Sequence, residues 1–170
     1  HRNDLSVVLG WMFRVRHLIM DDAHIFCYED QILSEVTDVL SIIKEFYNLF
    51  NLKSVFFLST MPDNALGDIS MWKKAEQALE KALKTNKLKY EIKEKEGAFY
   101  GPKIDVHVTD ALDREWQIST IQLDFNLPER FNLTYEGADG RKHRPVVIHR
   151  AIFGSFERFI GIITEHYGAK

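Results

Sequence analysis

The chain has one cysteine, Cys27, in 170 residues. This excludes an internal disulfide and fits a reducing, cytoplasmic setting. No apolar run approaches the roughly 20 residues of a membrane span, and no signal-peptide pattern precedes the first residues. Excess positive charge is lacking too. The formal net charge is −3, which removes any general attraction to nucleic acid, so RNA contact would have to come from local patches. No internal repeat or low-complexity tract appears. There is no initiating Met before His1-Arg2-Asn3, and the chain reads as an excised fragment.

What is present is a soluble globular composition, 45% hydrophobic and 28% charged. The length suits a single domain over 1–170, able to bury about 70% of its unfolded surface. Residues 1–26 read as two strand-like pieces joined by an unusually apolar connection, Val7 to Arg16. In Asp22 to Cys27 the alternation puts His24 and Phe26 on one face and Cys27 on the other, so Cys27 is a poor co-ligand for His24. Apolar residues from Ile32 to Tyr47 recur at three and four, predicting a core helix over about 29–49, with Glu29 and Asp30 at its positive start. Further along come a strand at Ser54 to Ser59, a helix from about Ile69 to Thr85 and a strand at Lys89 to Lys93. Hairpin logic pairs Ile104 to Val108 with Glu115 to Phe125, and Leu133 to Glu136 with Val146 to Arg150 across the Gly137-Ala138-Asp139-Gly140 turn. Mostly antiparallel strands with three helices predict an α+β fold.

Chemistry concentrates in two stretches. Val146 to Ile160 passes from strand to helix, ending the strand at His149 and placing Arg158 on an otherwise apolar helix. That guanidinium needs an anion, either a carboxylate in a buried pair or a bound ligand. In Gly97 to Lys103, two glycines and a proline bend the backbone to present Tyr100 and Lys103.

Six blocks together resemble threonyl-tRNA synthetase: His1-Arg2-Asn3-Asp4, Arg14-Val15-Arg16, Asp21 to Phe26, Gly97 to Ile104, Thr120 to Phe125, and His149 to Ile152. Residues 1–26 resemble the second signature motif of class II synthetases, and the stretch from Val146 to Ile160 the third. The resemblance implies an antiparallel class II catalytic core that activates threonine with ATP and magnesium before charging tRNA. In that family Arg2 would hold the α-phosphate and the amino-acid carboxylate, while Arg14 and Arg158 would take the outer phosphates. Gln117 and Thr120 match positions near the adenosine, Asp4 one that bonds adenine, and Lys103 one near the reacting carboxylate. The family's zinc is bound by one cysteine and two histidines, matched here by His24 and His149. Asp22, Tyr100 and Gln122 match residues around the substrate's amine and hydroxyl.

The chain also departs from this pattern. The family's cysteine ligand and first motif lie upstream of the second motif, and with the editing and anticodon-binding domains they are expected to be absent, making tRNA charging by this fragment unexpected. Asp4 replaces Glu, Val7 and Trp11 replace Gly, Leu18 an aromatic and Met20 a Gln. Met61 replaces Arg, and Ile118-Ser119 replaces Cys-Gly or Cys-Ala. Several of these positions are expected at the adenylate pocket, so activation is expected to be impaired and the fragment inactive. The alternative is an engineered or repurposed scaffold that binds a metal, a small ligand or a partner through an apolar site, without aminoacylation. Trp11, Met12, Phe13, Leu18, Ile19 and Met20 are expected to cover one apolar surface, open to self-association through 7–20. His17 is either a further metal ligand or a surface histidine.

Overall fold

A computed structural model describes residues 2–3 and 9–168, with the side chains of 2 and 3 left aside. The elements follow the order β1 (Arg2–Asn3), β2 (His17–Leu18), β3 (Ala23–Cys27), α1 (Ile32–Leu49), β4 (Ser54–Ser59), α2 (Ile69–Thr85), β5 (Tyr90–Lys93), β6 (Lys103–Thr109), β7 (Glu115–Asp124), α3 (Asn126–Arg130), β8 (Tyr135–Glu136), β9 (Lys142–His143), β10 (Val146–Ala151) and α4 (Phe156–Gly168). Six strands form one sheet in the order β3-β10-β7-β6-β4-β5. Within this sheet only β4 and β5 pair in parallel. The α+β expectation holds.

Period-two alternation divides this sheet into two chemical faces. Phe56, Leu58, Ile104, Val106, Ile121, Leu123 and Ile148 are buried in one hydrophobic cluster with Val36, Leu40 and Ile43 of α1, Leu79 and Leu83 of α2, and Phe159 and Ile162 of α4. The helical stripes anticipated from the periodicity are the ones buried. The opposite face carries polar side chains. One rung crosses all six strands in register, Lys93, Ser59, Lys103, Gln122, His149 and His24.

One anticipated pairing is wrong. β8 pairs with β9 as a separate small hairpin, Tyr135 opposite His143, whereas β10 lies between β3 and β7. Gly137 and Gly140 do form the turn, but it closes onto Arg141. Pro145 then frees the chain to enter the main sheet, whose apolar face buries Val146 and Ile148.

Two glycines let backbone segments dock closely enough to shape the polar face. A Cβ on Gly101 would stand 1.8 Å from the Leu123 carbonyl oxygen, so only glycine lets the Tyr100 turn lie against β7. Gly154, at φ +68°, brings the β10–α4 turn against the Ile118 carbonyl. That turn is tied down by Asp21, whose carboxylate accepts from the Ile152 and Gly154 N–H groups at 2.8 and 2.9 Å. The start of α4 is locked as well: Ser155 Oγ caps the Arg158 N–H, and Glu157 accepts the Ile19 N–H and the Ser155 hydroxyl.

Candidate active site

The polar face gathers most of the sequence-predicted site residues into two adjoining clusters. In the first, His24 sits directly opposite His149 on the β3–β10 ladder, with ring centroids 4.6 Å apart and edge-on. Gln122 is opposite His149 on the other side. The Tyr100 hydroxyl donates to Gln122 Oε1 at 2.9 Å, and its ring lies 6.1 Å from that of His149. Burial first, then the charges of Asp124 and Asp22, holds the Tyr100 phenol above its ordinary range, so it remains a protonated donor at neutral pH. Asp22 is thereby placed in the electrostatic reach of this cluster.

A residue that the sequence reading did not single out organises the histidines. Asp124, 2% exposed, accepts from Nε2 of His149 at 2.9 Å and from the N–H groups of Asn126 and Leu127. A carboxylate behind one imidazole nitrogen leaves the other to present a lone pair, as a metal-binding histidine requires. The zinc implied by the resemblance would be held by His24 and His149, of which His149 has its imidazole oriented in this way. Among the described residues no group of three His, Cys, Asp or Glu is placed to hold a metal ion. Cys27 is not a third ligand. It is buried in the core on the opposite face, and burial, reinforced by Glu35 and Asp30, pushes its thiol up to about 11.

The second cluster converges on another buried carboxylate, Asp105, 3% exposed. Lys103 Nζ pairs with it at 2.6 Å, Gln117 Nε2 donates to it at 2.6 Å and Thr120 Oγ1 at 2.9 Å. Gln117 reaches this face because of a bulge: Val106 pairs with Ser119 but His107 with Gln117, so Ile118 is skipped and the alternation resets. Three residues assigned by motif matching thus share one partner, and the signal was available in the alternation that puts Asp105 on the same face as Lys103.

The cationic residues take a third position. Arg158 donates Nε–H to the Phe13 carbonyl at 3.0 Å, and its guanidinium lies 5.1 Å from the Trp116 ring centroid. Arg14 lies over the same ring at 5.8 Å. Neither arginine pairs with a carboxylate among the described residues. Asp4 and the side chain of Arg2 lie outside the described residues.

The departures resolve unevenly. Ile118 and Ser119 do not line the polar face: Ser119 is fully buried on the core side, bonded to the Tyr47 hydroxyl and the Ile152 carbonyl, and Ile118 belongs to the hydrophobic cluster. The apolar residues of the connection fall into two groups with different neighbours. Trp11, Met12 and Phe13 line a cavity of about 610 Å³ with Arg14, Trp116 and Gly161. Ile19 and Met20 instead run along the start of α4, through the Phe156 N–H to Ile19 carbonyl bond and the Met20–Ser155 bridge.

The sheet, with its motif residues in register on one face, has the architecture of a class II synthetase core. Over residues 1–167 the sequence matches the family described as the tRNA synthetase class II core domain (G, H, P, S and T), and the chain belongs to that family. Within it, the similarity is to threonine enzymes. The chain is 55% identical over 167 residues to a threonine–tRNA ligase of Acetivibrio thermocellus and 53% identical over 168 residues to one of Syntrophomonas wolfei, covering 98% and 99% of this chain. It spans 26% of each relative's length. A solved structure described as the RNA binding domain of threonyl-tRNA synthetase from Cryptosporidium parvum superposes with a TM-score of 0.92 at 47% identity, covering all of this chain and 43% of that one.

Proposed function

We propose that these residues form the adenylate-forming part of a threonine–tRNA ligase, acting in the cytoplasm as one partial class II core domain, with the first motif, editing and anticodon-binding parts outside 1–170. The observation that carries this reading is the single rung His24, His149, Gln122 and Lys103, which lines up the threonine-side residues beside the Asp105 cluster. In the reaction, a threonine carboxylate oxygen attacks the α-phosphorus of ATP, a new phosphorus–oxygen bond forms, and the bond to the departing pyrophosphate breaks. Lys103 meets the reacting carboxylate, Arg2 the α-phosphate, and Arg14 and Arg158 the outer phosphates, where magnesium accompanies ATP. Planar guanidinium groups spread donors over the developing charge. Gln117, Thr120 and Asp4 hold the adenosine.

Tyr100, Gln122 and Asp22 take the amine and hydroxyl of threonine. His24 and His149 would hold zinc, which when bound supplies a Lewis-acidic contact for a hydroxyl that an apolar pocket reads only weakly. With the cysteine ligand elsewhere, and Met20 without a polar group, activation by these residues alone is impaired relative to the full-length relatives, and transfer to tRNA requires parts of the protein outside them.

The test is threonine-dependent exchange of labelled pyrophosphate into ATP, with zinc supplied and a full-length relative as control. Weak but threonine-specific exchange is the expected result. No exchange from a folded chain, with or without an added upstream segment, refutes the reading. The cavity beside Trp11, Met12 and Phe13 would then favour the alternative, a scaffold that binds a small ligand there.

A further inference from the structure

Trp116 is assigned no role by motif or resemblance, yet it gathers more charge than any other aromatic ring among the described residues. Phe13 stacks on it at 5.1 Å, and the guanidinium groups of Arg158, Arg114 and Arg14 stand 5.1, 5.7 and 5.8 Å from its ring centroid. Its Nε1–H donates to Asp110 Oδ2 at 2.8 Å, which fixes the ring plane. Arg114 is neutralised, by Asp110 at 2.6 Å and Glu165 at 2.7 Å. Arg14 and Arg158 are not, among the described residues.

Two unpaired cations brought this close repel each other. Burial, then the charge of Arg14, depresses the Arg158 pKa from its usual value. A carboxylate placed between them would relieve the repulsion and would also compete with an incoming phosphate for the same donors. An indole face relieves it differently: its negative quadrupole attracts both guanidinium groups without accepting their N–H donors, of which Arg158 spends Nε–H on the Phe13 carbonyl. Resting on the adenylate-forming reading above, we propose that Trp116 is a positioning residue for ATP, a platform that holds Arg14 and Arg158 together and unneutralised to receive the outer phosphates.

The test compares Trp116→Leu and Trp116→Phe with the unsubstituted chain in two readouts. One is the KM for ATP and for threonine in pyrophosphate exchange. The other is binding of inorganic pyrophosphate with magnesium, followed by the fluorine resonance of 5-fluorotryptophan at position 116, assigned by its loss in Trp116→Phe. The expected result is a rise in KM for ATP of about 10-fold for Leu and about 3-fold for Phe, as one or two lost cation–π contacts imply, with the KM for threonine within about 2-fold. Pyrophosphate should shift the Trp116 resonance. Should Trp116→Leu not fold, the Phe variant and the resonance decide. An unchanged KM for ATP in a folded variant, or a resonance indifferent to pyrophosphate, overturns the proposal while leaving the exchange reading intact. A chain without exchange whose Trp116 resonance still responds, and whose Leu variant binds pyrophosphate less well, would refute the reaction and support the platform.

Discussion

His149 donates Nε2–H to Asp124 at 2.9 Å while its ring meets His24 edge-on at 4.6 Å. The buried carboxylate fixes both the orientation of the imidazole and the nitrogen it can offer to a metal. Asp124→Asn keeps the shape but leaves the tautomer unspecified, since an amide can donate as well as accept. Zinc affinity, measured by competition with a chromophoric chelator, is expected to fall by about 10- to 100-fold. An unchanged affinity would mean that His149 does not bind zinc through the nitrogen this bond leaves open.

Asp105 supports a second prediction. Its two oxygens accept from Lys103, Gln117 and Thr120, and Ser59 Oγ lies 3.4 Å away. Asparagine would offer one oxygen and place an NH₂ group against donors, leaving the Lys103 charge without its carboxylate. Asp105→Asn is expected to lower stability by about 3 kcal/mol, read from the urea midpoint, and to raise the KM for ATP. Asp105→Glu should not restore the KM, because the added methylene displaces the oxygens from all three partners.

The elements that the sequence announced are those whose signal is local. The stripe Ile32, Val36, Leu40, Ile43 and Tyr47 is a helix face in any packing, and the alternation that set Cys27 apart from His24 needs no knowledge of neighbouring strands. What escaped depended on partners far along the chain. Val146 to Arg150 carries the pattern of a strand but no label saying that it pairs with β3 and β7 rather than Leu133 to Glu136. The bulge at Ile118 is a matter of register, and it decides that Gln117 faces the site while Ser119 faces Tyr47. Asp105 and Trp116 lie outside the resembling blocks, Asp124 lies inside one without an assigned role, and the importance of all three comes from side chains that only folding brings to them.

A third prediction concerns acid. The Asp110 side chain is fully buried, and although burial acts to raise its pKa, hydrogen bonds from Trp116, the Arg114 backbone, the Arg114 guanidinium and the Leu112 N–H hold it below the usual carboxylate value. A depressed folded pKa contributes stability in full above the unfolded value of about 3.9, and that contribution is lost as the pH falls through the folded value. Asp110→Asn should therefore cost about 2 kcal/mol near neutrality. The gap between variant and parent, followed by denaturant unfolding from pH 7 down to pH 2.5, should narrow below about pH 4. A gap that stays constant with pH would assign the effect to packing instead.

Trp11 sits at φ +49° with 93% of its surface exposed, at a position where the family resemblance has glycine. In the left-handed region a Cβ crowds the following carbonyl, at a cost of roughly 1–2 kcal/mol that glycine does not bear. An indole this exposed recovers little by packing, although it borders the cavity beside Met12 and Phe13. Glycine also gives the unfolded chain more freedom to lose, which offsets part of the gain. Trp11→Gly is expected to raise stability by about 1 kcal/mol, or about 2–4 °C in Tm for a chain of this size. The control is Trp11→Ala, which keeps the Cβ and should gain nothing. If alanine stabilises as much as glycine, the cost lies in the exposed indole and not in the backbone.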